Sequence, residues 1–239
     1  MANLLPLLGV GKKAGDWWLS GDISAANCIA AYQPKGVASY AASKINLANP
    51  GTYNLEDAGD TSVPSWNGAT GWNFDGSDDK LYASGYPHID TDFSIIARGD
   101  LLINHNPSSI IFSLKAKKYP IKGGWAFKSE QWNNLGNIGY TVFGSLDDDS
   151  GISTPSGDSI FALTRDGTNV IYYIEGSPAP KTITTTFNVD LTGFYIGAYT
   201  TGLGTYFDFL KNNIYALSYY HIALTADQVS ALTTAMVTL

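Results

Sequence analysis

Cleaving a glycosidic bond takes two carboxyl groups flanking it, about 5–5.5 Å apart when configuration is retained. The chain holds three glutamates, Glu56, Glu130 and Glu175, and none is followed two or five residues on by another carboxylate. Glu175 falls in a turn between two strand-like runs, the place of a solvated side chain. His88, His105 and His221 are scattered, with no pair at metal-ligand spacing, no His-Glu-x-x-His and no Cys-x-x-Cys. No Gly-x-Ser-x-Gly elbow points to a serine nucleophile. These residues predict no catalytic group, and the chain reads as not an enzyme.

Aromatic rings are the larger resource, at 13% of residues. Most of them belong in a core. Trp132 is set differently, between Gln131, Asn133 and Asn134, in a polar connection. A ring there can stack on a sugar face while the amides bind hydroxyls, and connections carry function on rigid scaffolds. The expected ligand-binding residues are therefore Trp132, Asn133, Trp125 and Tyr140, with Tyr119 beside them. The plainer alternative is that Trp132 plugs one end of the fold.

The elements that would position these residues are strands. Phe93, Ile95, Ala97, Leu101 and Ile103 form one apolar face, against Ser94, Arg98 and Asp100. Ile110, Phe112 and Leu114 repeat the pattern. Trp125–Phe127 and Tyr140–Phe143 are two more runs, and Cys28–Tyr32 is an earlier one. Ile160–Arg165 and Val170–Glu175 flank Asp166-Gly167-Thr168, the strongest short-range hairpin signal. Runs at Phe194–Tyr199, Thr205–Leu210 and Ile214–Tyr220 follow. Leu146–Asp158 reads as a long polar loop, and Val37–Ile45 as a short helical piece. At the end, Thr225-Ala226-Asp227-Gln228 has capping-box spacing. Val229, Leu232, Thr233 and Met236 then recur at helical intervals. About a dozen short strands predict an all-β sandwich of two antiparallel sheets with a short C-terminal helix. Residues 1–20 read as an arm, and 21–239 as one domain.

Composition narrows the partners. Net charge is −7, so a nucleic-acid backbone is an unsuitable partner. No stretch approaches the ~20 apolar residues of a membrane span. Leu4-Leu5-Pro6-Leu7-Leu8 is too short for a signal-peptide core, and Lys12-Lys13 follow it instead of preceding it. Synthesis in a cytoplasm is expected. The single cysteine, Cys28, lies in an apolar run and reads as a buried, inert thiol. Leu4, Leu5, Leu7, Leu8, Trp17 and Trp18 would make an apolar patch that soluble monomers avoid. They are the expected contacts of a homo-oligomer, with Trp17 and Trp18 burying against either the chain's own domain or a partner.

Three separated stretches carry a family resemblance. "GWNFDGSDDKLYAS", "ALTRDGTNVIYYIEG" and "YFDFLKNNIYALSYYHIALTADQVSAL" resemble, in order, an early strand, a hairpin and the closing strand and helix of laminin-G-like, concanavalin A-like jelly-roll domains. The resemblance spans roughly residues 66 to 236. It implies a concanavalin A-like jelly roll. Its β-glucanase members place their carboxylates as Glu-x-Asp-x-x-Glu on one strand, which this chain lacks. Many relatives bind calcium, so Asp75, Asp78, Asp79, Asp208 and the run Asp147–Asp149 are possible ligands. The aspartate that often opens the closing strand is replaced here, as Ile214-Tyr215, and the resemblance on balance implies no cofactor. "DWWLSGDISAANCIAAYQPKG" resembles the start of bacteriophage proteins of this type. The implied role is a non-catalytic structural or adhesive component on the exterior of a phage or prophage virion, head or tail. Its implied partners are other virion proteins, with host-surface glycans as a further ligand. The alternative is a carbohydrate-active enzyme or carbohydrate-binding module.

Overall fold

The computed structural model describes residues 15–57, 62–85, 92–101, 109–116, 125–130, 136–142, 146–182, 191–200, 206–211 and 213–239. Among these the strands are β1 (Cys28–Tyr32), β2 (Glu56–Asp57), β3 (Ser65–Asn67), β4 (Gly71–Asn73), β5 (Leu81–Ser84), β6 (Phe93–Leu101), β7 (Ser109–Ala116), β8 (Trp125–Glu130) and β9 (Asn137–Val142). They continue with β10 (Leu146–Ser153), β11 (Gly157–Asp166), β12 (Asn169–Ile174), β13 (Ser177–Thr182), β14 (Leu191–Ile196), β15 (Tyr199–Thr200), β16 (Tyr206–Phe207) and β17 (Asn213–Tyr220). Helix α1 is Tyr40–Ser43 and α2 is Ala226–Val237.

Two antiparallel sheets face each other. One runs β13-β12-β11-β6-β17-β4-β3, with β1 also on β17, and the other runs β10-β9-β8-β7-β14-β5-β2. This is the expected jelly-roll sandwich. The alternation seen in the sequence sets the faces. Phe93, Ile95, Phe161, Leu163, Leu217 and Tyr219 of the first sheet meet Phe112, Leu114, Trp125, Phe127, Ile138, Tyr140 and Phe194 of the second. Phe93 stacks on Trp125 at 4.3 Å between ring centroids, and Phe112 on Tyr219 at 5.2 Å. Each such buried side chain contributes roughly 1.5–3 kcal/mol of apolar burial.

The first sheet buries its outer face as well. Ile96, Ile160, Ala162, Ala216 and Tyr220 point away from the sandwich, against Val229, Leu232 and Met236 of α2. The capping box forms as expected: Thr225 Oγ1 accepts from the Gln228 N–H, and Gln228 Oε1 from the Thr225 N–H. At the other end Arg98 reaches from β6 to donate to the Met236 carbonyl at 2.6 Å, while holding Asp158 through two hydrogen bonds of 2.8 and 2.6 Å. A cation there answers the negative end of the helix dipole.

Trp17 and Trp18 pack into this same cluster, at 5% and 8% exposure. The indole rings are spent on the chain's own domain, which corrects their expected role as oligomer contacts. Leu4, Leu5, Leu7 and Leu8 lie outside the described residues. One edge also differs from expectation. Leu146–Ser153 is a strand, not a loop. Asp148 turns inward, and its Oδ2 accepts from the buried Tyr172 hydroxyl at 2.9 Å, so an aspartate run survives at the end of a sheet. Ser177–Thr182 forms β13 despite Pro178 and Pro180, because a terminal strand leaves one side of its backbone unpaired. The free side of β1 is closed by the buried Asn46. Its Oδ1 accepts from the Ala31 N–H and its Nδ2 donates to the Ile29 carbonyl.

Candidate functional site

Trp125 and Tyr140, expected to line a ligand surface, are fully buried between the sheets. Their strands turn Trp125, Phe127, Ile138 and Tyr140 to the core. A sugar cannot reach them, and that expectation is corrected. Trp132, Asn133 and Tyr119 lie outside the described residues.

A different aromatic group stands on the outer face of the second sheet. Glu56, Tyr82, Tyr195 and Ser113 are cross-strand partners in one row across β2, β5, β14 and β7. Leu81 and Ala83 flank Tyr82, and Phe194 and Ile196 flank Tyr195. All four flanking residues are core, so the tyrosines between them point outward. Tyr82 and Tyr195 have ring centroids 4.7 Å apart with planes tilted 30°. Tyr206, from the short β15–β16 hairpin, meets Tyr195 edge-on at 5.5 Å. Lys80 Nζ stands 4.5 Å from the Tyr206 ring centroid and donates to the Asp78 carbonyl at 3.2 Å. Tyr195 is 2% exposed, whereas Tyr82 and Tyr206 remain partly open to solvent.

Gly193 makes room for this group. A Cβ there would stand 2.7 Å from the Tyr82 hydroxyl, and nearer still to the Tyr82 ring and the Ala83 carbonyl oxygen. The Tyr82 ring therefore lies against bare backbone. Burial pushes the Tyr82 phenol above its ordinary pKa, and the negative charge of Glu56 adds to the rise. The Tyr195 phenol is pushed up mainly by burial, then by the Tyr206 hydroxyl.

The loop from Phe74 to Lys80 borders the rings. Asp75, Asp78 and Asp79 each place a carboxylate oxygen within 4.8 Å of the others. Asp75 Oδ1 accepts from the Ser77 N–H at 2.7 Å, Asp79 Oδ2 from the Asp75 N–H at 2.8 Å, and Asp78 Oδ2 from the Ser62 hydroxyl at 2.7 Å. Burial raises the Asp79 pKa, and the neighbouring charges of Asp75 and Asp78 raise it further against the pull of the Asp75 N–H. Such a trio can retain a proton on Asp79 at higher pH than an ordinary carboxyl. As an oxygen-only donor set it also suits a hard cation such as calcium, supplying three of six to eight ligands. Of the other aspartates considered for calcium, Asp208 stands apart, 3.5 Å from Lys128 Nζ. Asp148 is turned to Tyr172, and Asp149 accepts from Asn137 and the Gly151 N–H.

Sequence reasoning missed Tyr82, Tyr195 and Tyr206. The available signal was alternation: Leu81-Tyr82-Ala83 and Phe194-Tyr195-Ile196 each put a tyrosine between two core residues. Their adjacency is set by the pairing of β5 with β14, more than a hundred residues apart in the chain.

No protein-family model and no curated protein matches the chain. Solved structures do match. A mutant of HCR/D superposes with a TM-score of 0.58 at 16% identity, over 88% of this chain and 52% of that one. The Trypanosoma rangeli sialidase in complex with sialic acid gives 0.61 at 10% identity, over 87% of this chain and 33% of the sialidase. Domain 4 of AbnA, a GH43 extracellular arabinanase from Geobacillus stearothermophilus, in complex with arabinotriose, gives 0.57 at 17% identity, over 87% of this chain and 98% of that domain. The chain thus spans about half of the first structure and a third of the sialidase, but nearly all of the arabinanase domain. At these identities the likeness is one of fold. It corrects the expectation that the chain is not an enzyme. The sandwich occurs within a sialidase and within an arabinanase, so the missing Glu-x-Asp-x-x-Glu strand does not decide against hydrolase chemistry.

Proposed function

We propose that this chain is a glycan-binding β-sandwich whose ligand lies on the tyrosine cluster of the second sheet, beside the Asp75–Lys80 loop. The observation that carries the reading is the partly exposed Tyr82 ring, packed against Gly193 and tilted against Tyr195. An immobilised ring offers a flat apolar face to the C–H side of a sugar, and its neighbours offer acceptors to the hydroxyls. The arabinanase domain that matches nearly end to end is one bound to arabinotriose, and this supports the reading. Tyr206 and Lys80 form the wall of the surface.

The test is a glycan array followed by calorimetric titration of the best ligand. Tyr82→Ala is expected to weaken binding about two- to tenfold, the order expected for loss of one packed aromatic. Unchanged affinity in a folded Tyr82→Ala protein removes the proposal.

The finer proposal is a place on a virion exterior, assembled as a homo-oligomer through Leu4–Leu8. The phage-like opening at Asp16–Gly36 supports it. Immunogold labelling of particles and light scattering of the chain with and without residues 1–14 test the two parts separately.

A further inference from the structure

Resting on the glycan-binding reading above, we infer that Lys128 is a positioning residue for the tyrosine surface: through Asp208 it holds the Tyr206 wall in place, without touching the sugar itself. Two buried lysines under one hairpin carry this inference. A lysine is almost never fully buried unless something pairs with it. Lys80 and Lys128 are each 2% exposed, and both meet the same short stretch of chain. Lys80 Nζ stands 4.5 Å from the Tyr206 ring centroid, and Lys128 Nζ 3.5 Å from Asp208 Oδ2. Tyr206 opens β16, and Asp208 directly follows that strand.

The hairpin that carries these two residues lies on the outer face of the second sheet. The Ile110 N–H donates to the Asp208 carbonyl at 3.0 Å, the Ser113 hydroxyl to the Ala198 carbonyl at 2.7 Å, and the Leu210 N–H to the Gly197 carbonyl at 2.8 Å. Trp125 and Phe127 of β8 face the core, so Lys128 points to the outer face, beside its cross-strand partner Ile110. Asp208 takes a left-handed φ of +56°. Aspartate tolerates that conformation better than most side chains, yet it persists only where the surroundings hold it. Here Ile110 holds the carbonyl and Lys128 the carboxylate. In the sheet order β8 stands three strands away from β5, about 14 Å. With its ammonium turned to Asp208, Lys128 stays clear of a sugar lying on Tyr82. Its effect on binding passes instead through Asp208 to Tyr206, which meets Tyr195 edge-on at 5.5 Å and walls the open Tyr82 ring.

The test titrates arabinotriose, lactose and cellotriose calorimetrically into the full chain and follows the tightest of them. Tyr206→Ala sets the scale, with an expected loss of about two- to tenfold. Lys128→Met keeps the stem and removes the charge, and Asp208→Asn keeps the shape and the tolerance of the left-handed φ. Each is expected to weaken binding at least about twofold and to alter the tyrosine near-ultraviolet dichroism. Lys128→Arg, which keeps a cation, is expected to retain the affinity within about twofold. In a Tyr206→Ala background neither Lys128→Met nor Asp208→Asn is expected to weaken binding further, because the wall through which they act is gone. Unchanged affinity in folded Lys128→Met and Asp208→Asn overturns the inference and leaves the glycan site standing. An equal loss in the Tyr206→Ala background overturns it also, since the effect then bypasses the wall. If none of the three sugars binds, or if binding ignores Tyr82→Ala, the site reading falls and takes the inference with it. Circular dichroism and the melting temperature confirm folding. If a single variant unfolds, Lys128→Met combined with Asp208→Asn replaces it and is expected to show the same loss, because exchanging both partners of a buried pair is far less disruptive than removing one.

Discussion

Replacing Gly193 by alanine inserts one methyl group where β5 and β14 are closest to the Tyr82 ring. Ordinary van der Waals contact begins near 3.4 Å, yet this carbon would stand 2.7 Å from the Tyr82 hydroxyl and closer to the ring edge and the Ala83 carbonyl oxygen. The ring can swing outward. The carbonyl belongs to the strand pairing of Phe194 with Ala83 and can yield only by opening the sheet. Overpacking of this kind costs about 1–3 kcal/mol. Loss of glycine's unfolded-state freedom returns about 0.4–1 kcal/mol, so the net is about 1–2 kcal/mol of destabilisation. For a chain of this size that is a fall in Tm of roughly 2–8 °C. Because the ring is a clash partner, the variant should also lose glycan affinity and change its tyrosine near-ultraviolet dichroism. A double-mutant cycle with Tyr82→Ala isolates the ring's share. The double variant should be less destabilised than the sum of the singles by about 0.5–1 kcal/mol, the remainder being the carbonyl. Strict additivity, or an unshifted Tm with unaltered dichroism, refutes the packing of Tyr82 on Gly193.

Arg98→Met should destabilise by about 2–3 kcal/mol in urea titration, since the Met236 carbonyl and Asp158 both lose a charged donor while the stem's packing is kept. Arg98 holds the Asp158 carboxyl below its usual pKa. That contribution is therefore present above the unfolded value near 4 and is lost as pH falls through the lower folded value. Asp158 is half open to water, so this acid limb amounts to less than about 1 kcal/mol, and it should vanish in Arg98→Met. Thr225→Ala, which breaks the capping box, should cost about 1 kcal/mol; a loss under 0.3 kcal/mol would show that packing alone sets the helix start. Gly167 adopts φ +56° in the β11–β12 turn with open space around it, so Gly167→Val should lower stability by about 1–3 kcal/mol and Gly167→Asn by much less. Equal melting of the two variants would argue against that turn.

The fold was legible because its signals are local. The Asp166-Gly167 turn, the 225–228 capping box and the two-residue alternation of β6, β7 and β8 each fix an element without help from the rest. The polar edges were not legible. Asp147-Asp148-Asp149 looks like a solvated loop until Tyr172 is seen opposite Asp148, and Pro178 and Pro180 argue against a strand unless it is terminal. The site was least legible of all. Trp125 and Tyr140 carry the side chains a sugar surface would want, but alternation within β8 and β9 gives no clue to which face is outward. Even the outer face of the second sheet is closed at Tyr195, Ser113, Ala126 and Thr141. Tyr82 is partly open because it lies near the β2 end of that sheet, a fact of strand order that no window of sequence contains.

The margins of the two sheets bear on how this chain behaves when crowded. An exposed, flat, unpaired strand is a template on which a second molecule can extend the sheet, and it is the usual start of fibrous aggregation. Here one margin carries two prolines, another three consecutive aspartates, and the others are strands of two and three residues. The open side of β1 is occupied by the Asn46 side chain. Among the described residues, the two longest terminal strands, β10 and β13, carry aspartates and prolines that resist pairing with a neighbour. Crowding of many copies is thereby less prone to merge their sheets along these margins than it would be along bare strands.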